Sequence, residues 1–342
     1  MSIKVYSWLS TALEGLPQRL PGASLIYGQK GLGKQRLARA ISQSLLCQNS
    51  SGSGFPCGTC DDCHLFEIGN HPDFRLLQPE KDADENAGSR PAKSAETKKA
   101  SSSISVDAVR DLSQLTTTAS HRGGAKVVMI SPAEALNSSA ANALLKMLEE
   151  PSWNTHFILV AHDRNRVLPT IRSRCFQLPV KVPPSTEGTA WLKDQADERA
   201  EIALALASYA PFAALELTKD EEFWNNRQTL MARLSDPSAD PLELASVSEK
   251  LEPRVVGRIL SMWVFDLLVL KQGGDVRYHR DMQSELEHMA DIVAGPELCR
   301  WSDEVRAYSR AAEHPLNRRL ALESLYATWP GFKSRVSESH YW

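Results

Sequence analysis

Residues 28–34 constrain the chain most strongly, because they read Gly-Gln-Lys-Gly-Leu-Gly-Lys between an apolar run and a helical pattern. The apolar run at 23–27 predicts a strand, and the pattern that begins at Gln35 predicts a helix. Strand, glycine-rich turn and helix in this order form a phosphate loop. The glycines let successive N–H groups point at one anion, and the helix dipole adds positive potential. The candidate phosphate-binding residues are Gly28, Gly31, Gly33 and Lys34.

Three positions that an ATPase needs beside this loop carry other residues. A working loop follows its lysine with Ser or Thr, whose hydroxyl binds magnesium, whereas this chain has Gln35. The buried strand predicted at 126–130 should be followed by Asp and Glu, which hold the magnesium shell and polarise the attacking water. Ser131 and Pro132 stand there instead, and Glu134 is expected on the turn beyond them. Hydrolysis of ATP by this chain is therefore not expected.

Four of the six cysteines fall within a short stretch of the chain. They are Cys47, Cys57, Cys60 and Cys63. In a chain without signs of export, such a cluster predicts a metal site before disulfides. Four thiolates fill the tetrahedral shell of a zinc ion and leave no position for water, so the metal would be structural. An iron–sulfur cluster or simple burial of the cysteines stays open. His64 and His71 are expected to be surface or packing residues.

Composition excludes several classes of protein. The net charge of −3 argues against strong unaided binding to nucleic acid. No apolar run approaches the length that crosses a bilayer. The first residues lack a long apolar core and a small-residue cleavage site, so a cytoplasmic protein is expected.

Strands alternate with helices up to residue 179, which predicts an α/β domain with a parallel sheet covered on both faces. Residues 82–103 contain no aromatic or large aliphatic side chain. They predict a flexible insertion, either a regulatory or binding arm or a tolerated surface loop. Residues 180–222 predict a small helical domain. Residues 223–342 predict an all-α domain suited to packing or assembly, because every pattern there is helical.

Together these features resemble the delta prime family of clamp-loader subunits of bacterial DNA polymerase III, within the AAA+ superfamily. The resemblance spans residues 6–178 and is carried by the phosphate loop, the cysteines at 47–63 and five further motifs. These are His71-Pro72-Asp73, Val106-Asp107-x-Val109-Arg110, Gly124-Ala125-Lys126-Val127-Val128, Ala140-Ala141-Asn142-Ala143-Leu144-Leu145-Lys146-x-Leu148-Glu149-Glu150-Pro151 and Ile171-Arg172-Ser173-Arg174-Cys175. The tail Leu316-Asn317-x3-Leu320-x-Leu322-Glu323-x-Leu325 is similar to the end of the family's collar domain. The motor (gamma/tau) subunits share the cysteine module, and the missing catalytic groups favour delta prime.

The resemblance implies an AAA+ phosphate-loop domain with an inserted zinc module, a small helical lid and an all-α collar domain. It implies that Arg174 is an arginine finger, which reaches ATP on a neighbouring subunit and stabilises charge on the transferred phosphoryl group. Without the family, Arg174 would be interpreted as a salt-bridged arginine at a strand start. Cys175 is expected to be a packed apolar residue. The phosphate loop is expected to be vacant, or to hold phosphate or ATP weakly.

The resulting hypothesis is a non-hydrolysing, stator-like subunit that helps to load the sliding clamp onto primed DNA. Its implied partners are the gamma/tau motor subunits, the delta subunit, the clamp and primer–template DNA in the assembled complex. It would belong to a DNA-directed DNA polymerase holoenzyme, a nucleotidyltransferase complex, with neither polymerase nor ATPase activity of its own. Two rivals stay open. One is an active, gamma/tau-like AAA+ ATPase, and the other is a zinc-stabilised adaptor without a role in replication. The family's polar sensor position falls at Ala161-His162, and residues 208–214 offer no sensor arginine.

Overall fold

A computed structural model of the chain describes residues 6–14, 20–49, 56–80, 101–195, 199–311 and 317–331. The chain divides into two compact units, Met1–Pro183 and Pro184–Trp342. The phosphate loop and the four clustered cysteines belong to the first unit. The described part of the second unit forms helices and turns without a strand. The insertion predicted at 82–103 lies outside the described residues, apart from its last three positions.

The first unit is built on a parallel sheet. Its strands are β1 (Ala23–Tyr27), β2 (Phe74–Leu77), β3 (Lys126–Ile130), β4 (Thr155–Ala161) and β5 (Phe176–Pro179). They pair in the order β2-β3-β4-β1-β5, all parallel. Val127, Val128 and Phe157 are completely buried, as expected for strands covered on both faces. Because the strands are parallel, they all begin at one edge of the sheet, the amino edge, and end at the opposite carboxyl edge.

Helices cover the sheet, and local sequence sets where they begin and end. The side chain of Asn137 accepts the N–H of Ala140 at 2.8 Å and so caps the start of one helix, while Pro151 follows its end. The helices of the first unit are α1 (Ser7–Glu14), α2 (Lys34–Leu46), α3 (Asp61–Glu67), α4 (Val106–Thr117), α5 (Ser138–Glu149) and α6 (Pro169–Arg172). Short 3-10 turns lie at Ala133–Ala135 and Arg164–Arg166.

The second unit has one continuous apolar core that includes Leu204, Trp263 and Trp301. The indole of Trp301 donates to the carbonyl of Leu325 at 3.0 Å, and its ring lies 4.3 Å from that of Trp329. Its helices are α7 (Ser185–Lys193), α8 (Ala200–Leu206), α9 (Pro211–Thr218), α10 (Glu221–Leu234), α11 (Pro241–Ser248), α12 (Pro253–Lys271), α13 (Gln283–Ile292), α14 (Gly295–Ala311) and α15 (Arg318–Ala327).

The predicted fold class is confirmed: a parallel α/β sheet comes first and an all-helical region follows. The strands predicted at 23–27 and 126–130 have those bounds. The division of the helical region into a lid at 180–222 and a collar at 223–342 stays a prediction. None of the described helices combines the length and apolar character needed to cross a membrane.

Candidate functional site

The phosphate loop joins β1 to α2 at the carboxyl edge of the sheet. Gly31 and Gly33 have φ angles of 85° and 86°, in the left-handed region that favours glycine. A Cβ atom at Gly28 would collide with the carbonyl oxygen of Val180. The loop therefore has a backbone path that depends on its glycines, in the predicted order of strand, turn and helix.

Lys34, the first residue of α2, is turned into its own loop. Its side chain is buried, and Nζ donates to the carbonyl oxygen of Gln29 at 2.6 Å. Burial lowers the pKa of Lys34 to about 8, and the carboxylate of Glu134 offsets part of this shift. In this arrangement the ammonium group stabilises the loop itself, and binding a phosphate would require it to exchange this partner.

The residues that follow β3 hold no magnesium-binding carboxylate. Ser131 and Pro132 come directly after the strand. Glu134 lies on the next 3-10 turn, as expected, and its Oε1 accepts the N–H groups of His162 at 2.8 Å and Asp163 at 3.3 Å. Glu134 thus links the segment after β3 to the end of β4. The sequence analysis missed this role, since nothing near Glu134 in the sequence indicates its partners.

The four cysteines converge on one point. All four Sγ atoms lie within 4.8 Å of one another. The Cys47–Cys60 and Cys57–Cys63 pairs of Sγ atoms are 3.8 and 3.9 Å apart. A tetrahedral zinc ion with zinc–sulfur bonds of about 2.3 Å requires sulfur–sulfur edges of about 3.8 Å. The spacing therefore fits a single metal ion, whereas a multi-iron cluster would hold its sulfurs farther apart.

Hydrogen-bond donors near the cysteines favour the thiolate form that binds a metal. The N–H and hydroxyl groups of Thr59 bond the Cys57 sulfur at 3.5 and 3.6 Å, and they lower the pKa of that thiol to about 6. Burial raises the pKa of Cys63, so a cation is needed there to stabilise the thiolate. Gly58, between two of the cysteines, has a φ of 71°, in the left-handed region that favours glycine, and so allows a tight turn there. The arrangement can hold a structural metal ion.

A buried polar network, the Asp73 network, attaches the cysteine module to the sheet. Its members are Asp62, His71, Asp73 and Arg122. Asp73 accepts the N–H groups of His121 and Arg122 at 2.9 and 3.0 Å, and Arg122 Nε donates to Asp62 at 2.7 Å. His71 Nε2 lies 3.5 Å from Asp62, and burial lowers the pKa of His71. His71 is thus a buried packing residue, while Asp62 and Arg122 are site residues that the sequence analysis missed.

Arg174 lies exposed just before β5. Its Nε and Nη2 atoms contact Oε1 of Glu149 at 2.6 and 2.5 Å, and Nη1 donates to the carbonyl of Thr170 at 3.1 Å. Both side chains are partly exposed, 37% for Arg174 and 47% for Glu149, so the pair contributes little net stability. Cys175 packs into the core as predicted, and burial raises the pKa of its thiol to about 12.

The register of the sheet separates Arg174 from the phosphate loop. Phe176 is paired with Ser24, so Arg174 is level with Gly22 at the amino edge. The phosphate loop begins at Gly28 on the carboxyl edge, about 20 Å farther along at about 3.3 Å per residue. An arginine side chain does not span this distance. The functional residues predicted from the sequence therefore lie at three separate sites: the phosphate loop, the cysteine cluster and the amino edge of the sheet near Arg174.

Two known protein families together match most of the chain. Residues 4–184 match the family described as DNA polymerase III, delta subunit. Residues 221–330 match the family described as DNA polymerase III, delta subunit, C terminal.

Individual relatives named DNA polymerase III subunit delta′ agree with these matches. One from Yersinia pestis is 32% identical over 95% of both chains. One from Escherichia coli K12 is 35% identical over 69% of this chain and 67% of its own length. One from Pseudomonas aeruginosa is 38% identical, over 62% of this chain and 61% of its own length. A solved gamma subunit-related protein of DNA polymerase III from Thermotoga maritima is 18% identical over 94% of this chain and 97% of that chain, with a TM-score of 0.45.

Proposed function

Because the chain belongs to the delta′ family of DNA polymerase III subunits, we propose that it works in a clamp loader without hydrolysing ATP itself. In this proposal the gamma/tau and delta subunits are its direct partners, and the sliding clamp and primed DNA are handled by the assembled complex. The chain contributes Arg174 to the ATP site of a neighbouring subunit.

The separation between Arg174 and the phosphate loop carries this proposal. Arg174 lies on the amino edge and the loop on the carboxyl edge, so Arg174 cannot stabilise a phosphoryl group bound in its own loop. An exposed arginine on a separate edge suits a nucleotide held by another subunit. There it stabilises the charge on the transferred phosphoryl group, and hydrolysis becomes dependent on assembly.

The residues near the loop support the absence of hydrolysis. Gln35, Ser131 and Pro132 supply neither the magnesium-binding hydroxyl nor the two carboxylates. Lys34 is already bonded to the carbonyl of Gln29, and Glu134 to backbone N–H groups beyond β4. Phosphoryl transfer depends mainly on electrostatic stabilisation by such groups, and this chain lacks them.

The metal proposed for the four cysteines is a structural zinc ion. When bound, it would hold the segment after α2 in place and supply no open coordination position for chemistry. Cys47, Cys57, Cys60 and Cys63 would each provide one thiolate, and the Asp73 network would orient the helix α3 that carries Cys63.

Reconstitution tests the proposed function. Clamp loading onto primed DNA is measured with gamma/tau and delta subunits, with and without this chain, and ATP turnover is measured for the isolated chain. We expect loading to require this chain and the isolated chain to show no turnover. Turnover by the isolated chain that Lys34→Ala abolishes would establish the motor-subunit alternative. Equal loading without this chain would favour the adaptor alternative.

A further inference from the structure

Trp153 is unusually exposed for a large aromatic residue. Its relative exposure is 86%, in the segment that joins α5 to β4. Tryptophan is enriched among the residues that contribute most to protein–protein binding, because it buries a large area with few rotatable bonds. A fully presented tryptophan therefore indicates a contact surface more strongly than an exposed aliphatic residue would.

The turn that carries Trp153 is held in place. The N–H of Thr155 donates to the carbonyl of Ser152 at 3.0 Å, and their hydroxyl groups lie 2.9 Å apart. The carbonyl of Asn154 accepts the N–H of Lys126 at 2.9 Å, which fixes the turn to β3. Asn154 has a φ of 55°, a left-handed conformation that asparagine tolerates. A partner would thus bind a preorganised turn, at a small cost in backbone entropy.

The same turn lies on the edge that carries Arg174. β1 separates β4 from β5, so the starts of β4 and β5 are two strand spacings apart, about 10 Å. Pro151 packs against Gly22, the residue before β1, so closely that a Cβ atom at Gly22 would come within 2.6 Å of the proline ring. Pro151 therefore bridges the gap between the starts of β4 and β5. Residues 149–153 therefore run continuously from the partner of Arg174 to the exposed indole.

Glu149 determines where the guanidinium of Arg174 lies. Oε1 of Glu149 receives Nε and Nη2, while the Thr170 carbonyl receives Nη1, so each of the three nitrogens has a partner. A free arginine side chain samples many rotamers, and these contacts restrict it to one orientation. Since the pair is partly exposed and contributes little stability, the guanidinium can turn one edge toward another anion at small cost.

We infer that residues 151–153 form the contact surface for the neighbouring ATPase subunit, with Trp153 as its anchor, and that Glu149, beside this surface, is the positioning residue for Arg174. This inference rests on the proposed function, in which Arg174 reaches that neighbour's nucleotide. The occupant is the neighbouring nucleotide-binding subunit because the anchor and the arginine lie on one continuous edge, so one protein contacts both.

Binding tests the anchor. The affinity of full-length Trp153→Ala for the gamma/tau subunit in the presence of ATP is compared with that of the unaltered chain by calorimetry. We expect at least a tenfold loss of affinity with an unchanged thermal midpoint, because the side chain packs against little else. Ile68→Ala, at another exposed apolar position of the same unit (48%), is the matched control and should bind normally. Unchanged affinity of Trp153→Ala, or a loss only of self-association, overturns the anchor.

Turnover tests the positioning role. In the reconstituted loader, Glu149→Gln should lower kcat for ATP about threefold to tenfold while leaving the affinity between subunits unchanged. Asp111→Asn, at an exposed acidic residue of α4, is the control and should leave kcat unchanged. When Arg174 is already replaced by Ala, Glu149→Gln should lower kcat no further. A merely structural role of Glu149 would lower kcat with or without Arg174. An unchanged or raised kcat in Glu149→Gln overturns the positioning role. Normal turnover in Arg174→Ala alone overturns the proposed function instead, and the binding result for Trp153 would still stand.

Discussion

Cys57 and Cys63 show how single residues contribute to the candidate metal site. The Thr59 donors stabilise the Cys57 thiolate, whereas Cys63 is buried where a thiolate needs a nearby cation. Four sulfurs within 4.8 Å of one another would repel as thiolates, so a metal ion is the simplest source of the positive charge they require. The local fold and the metal should therefore stabilise each other.

Elemental analysis checks this site. We expect about one zinc per chain, with no stoichiometric iron. Cys60→Ser removes one ligand and should lower both the zinc content and the thermal midpoint of the first unit. Cys299→Ser removes an exposed cysteine outside the cluster and serves as the control. Stoichiometric iron, or full stability without any metal, would contradict the assignment.

Arg174 illustrates a residue whose role depends on context. Its pairing with Glu149 is the salt bridge that the sequence suggested for an arginine at a strand start. The pair does not argue against a role in trans, since its weak net contribution leaves the guanidinium able to exchange partners. The contact with Glu149 already restricts the rotamers of Arg174, so less side-chain entropy is lost when the subunits assemble.

At the scale of elements, the Asp73 network connects helix α3 to the loop before β3. Arg122 links two acidic residues, because its backbone N–H donates to Asp73 and its Nε donates to Asp62. Asp62 is almost completely buried, so its carboxylate depends on the guanidinium of Arg122 for charge compensation. The network therefore fixes the orientation of the cysteine module on the sheet.

Removing the Arg122 side chain should loosen this attachment. Arg122→Ala leaves Asp62 buried with one partner fewer. Since Arg122 is one-third exposed, we expect a loss of about 1–2 kcal/mol, less than for a fully buried pair. Chemical denaturation of the zinc-loaded chain measures this loss, and zinc release to a chelator should become faster. Arg110→Ala, which disrupts the exposed pair with Asp107, is the control and should cost almost nothing. Equal effects of the two substitutions would contradict a role for the network.

The elements themselves were largely predictable, and their side-chain connections were not. β3 and the phosphate loop follow from local patterns, an uninterrupted apolar run and a glycine-rich turn before a helix. The Arg122–Asp62 and Arg174–Glu149 contacts join residues 60 and 25 positions apart. No local pattern encodes such pairs, because they depend on which strands become neighbours. The edge that holds Arg174 likewise emerges only once the strand order is known.

At the scale of the whole molecule, each unit contains its own buried ionic cluster. In the second unit, Asp266 accepts the N–H groups of Arg277 and His279 at 2.9 Å each and lies 3.0 Å from the His279 ring. Arg227 forms a two-point contact with Asp281 at 2.6 and 2.9 Å. These groups fix the segment between α12 and α13. Burial lowers the pKa of His279, although Asp266 opposes this shift.

Stability of the second unit should therefore fall in mild acid. Because the folded-state pKa of His279 lies below its usual 6.5, the unfolded chain binds a proton that the folded chain does not. The free energy of unfolding should be highest above about pH 7.5 and should decrease as the pH falls through 6.5. The pKa of Asp266 is also low, since hydrogen bonds outweigh its burial, so a further loss is expected below about pH 4.

Denaturation followed by tryptophan fluorescence at pH 7.5 and pH 5.5 measures this dependence, since six of the eight tryptophans lie in the second unit. His279→Asn keeps a donor for Asp266 without a titrating ring, and it should flatten the change between these two pH values. His288→Asn, at an exposed histidine, is the control and should retain the dependence of stability on pH. An unaltered pH profile in His279→Asn would assign the loss to other groups.

The central claim is that this chain contributes an arginine, and not its own phosphate loop, to ATP hydrolysis. DNA-stimulated ATP turnover of the reconstituted clamp loader tests it most directly, with Arg174→Ala and Lys34→Ala made separately in this chain. The exposed Arg166→Ala, in the same unit, is the matched control for loss of a charge. We predict that Arg174→Ala lowers turnover at least tenfold, while Lys34→Ala and Arg166→Ala leave it unchanged. Unchanged turnover in Arg174→Ala, or a comparable loss in Lys34→Ala from a folded subunit, would contradict the account.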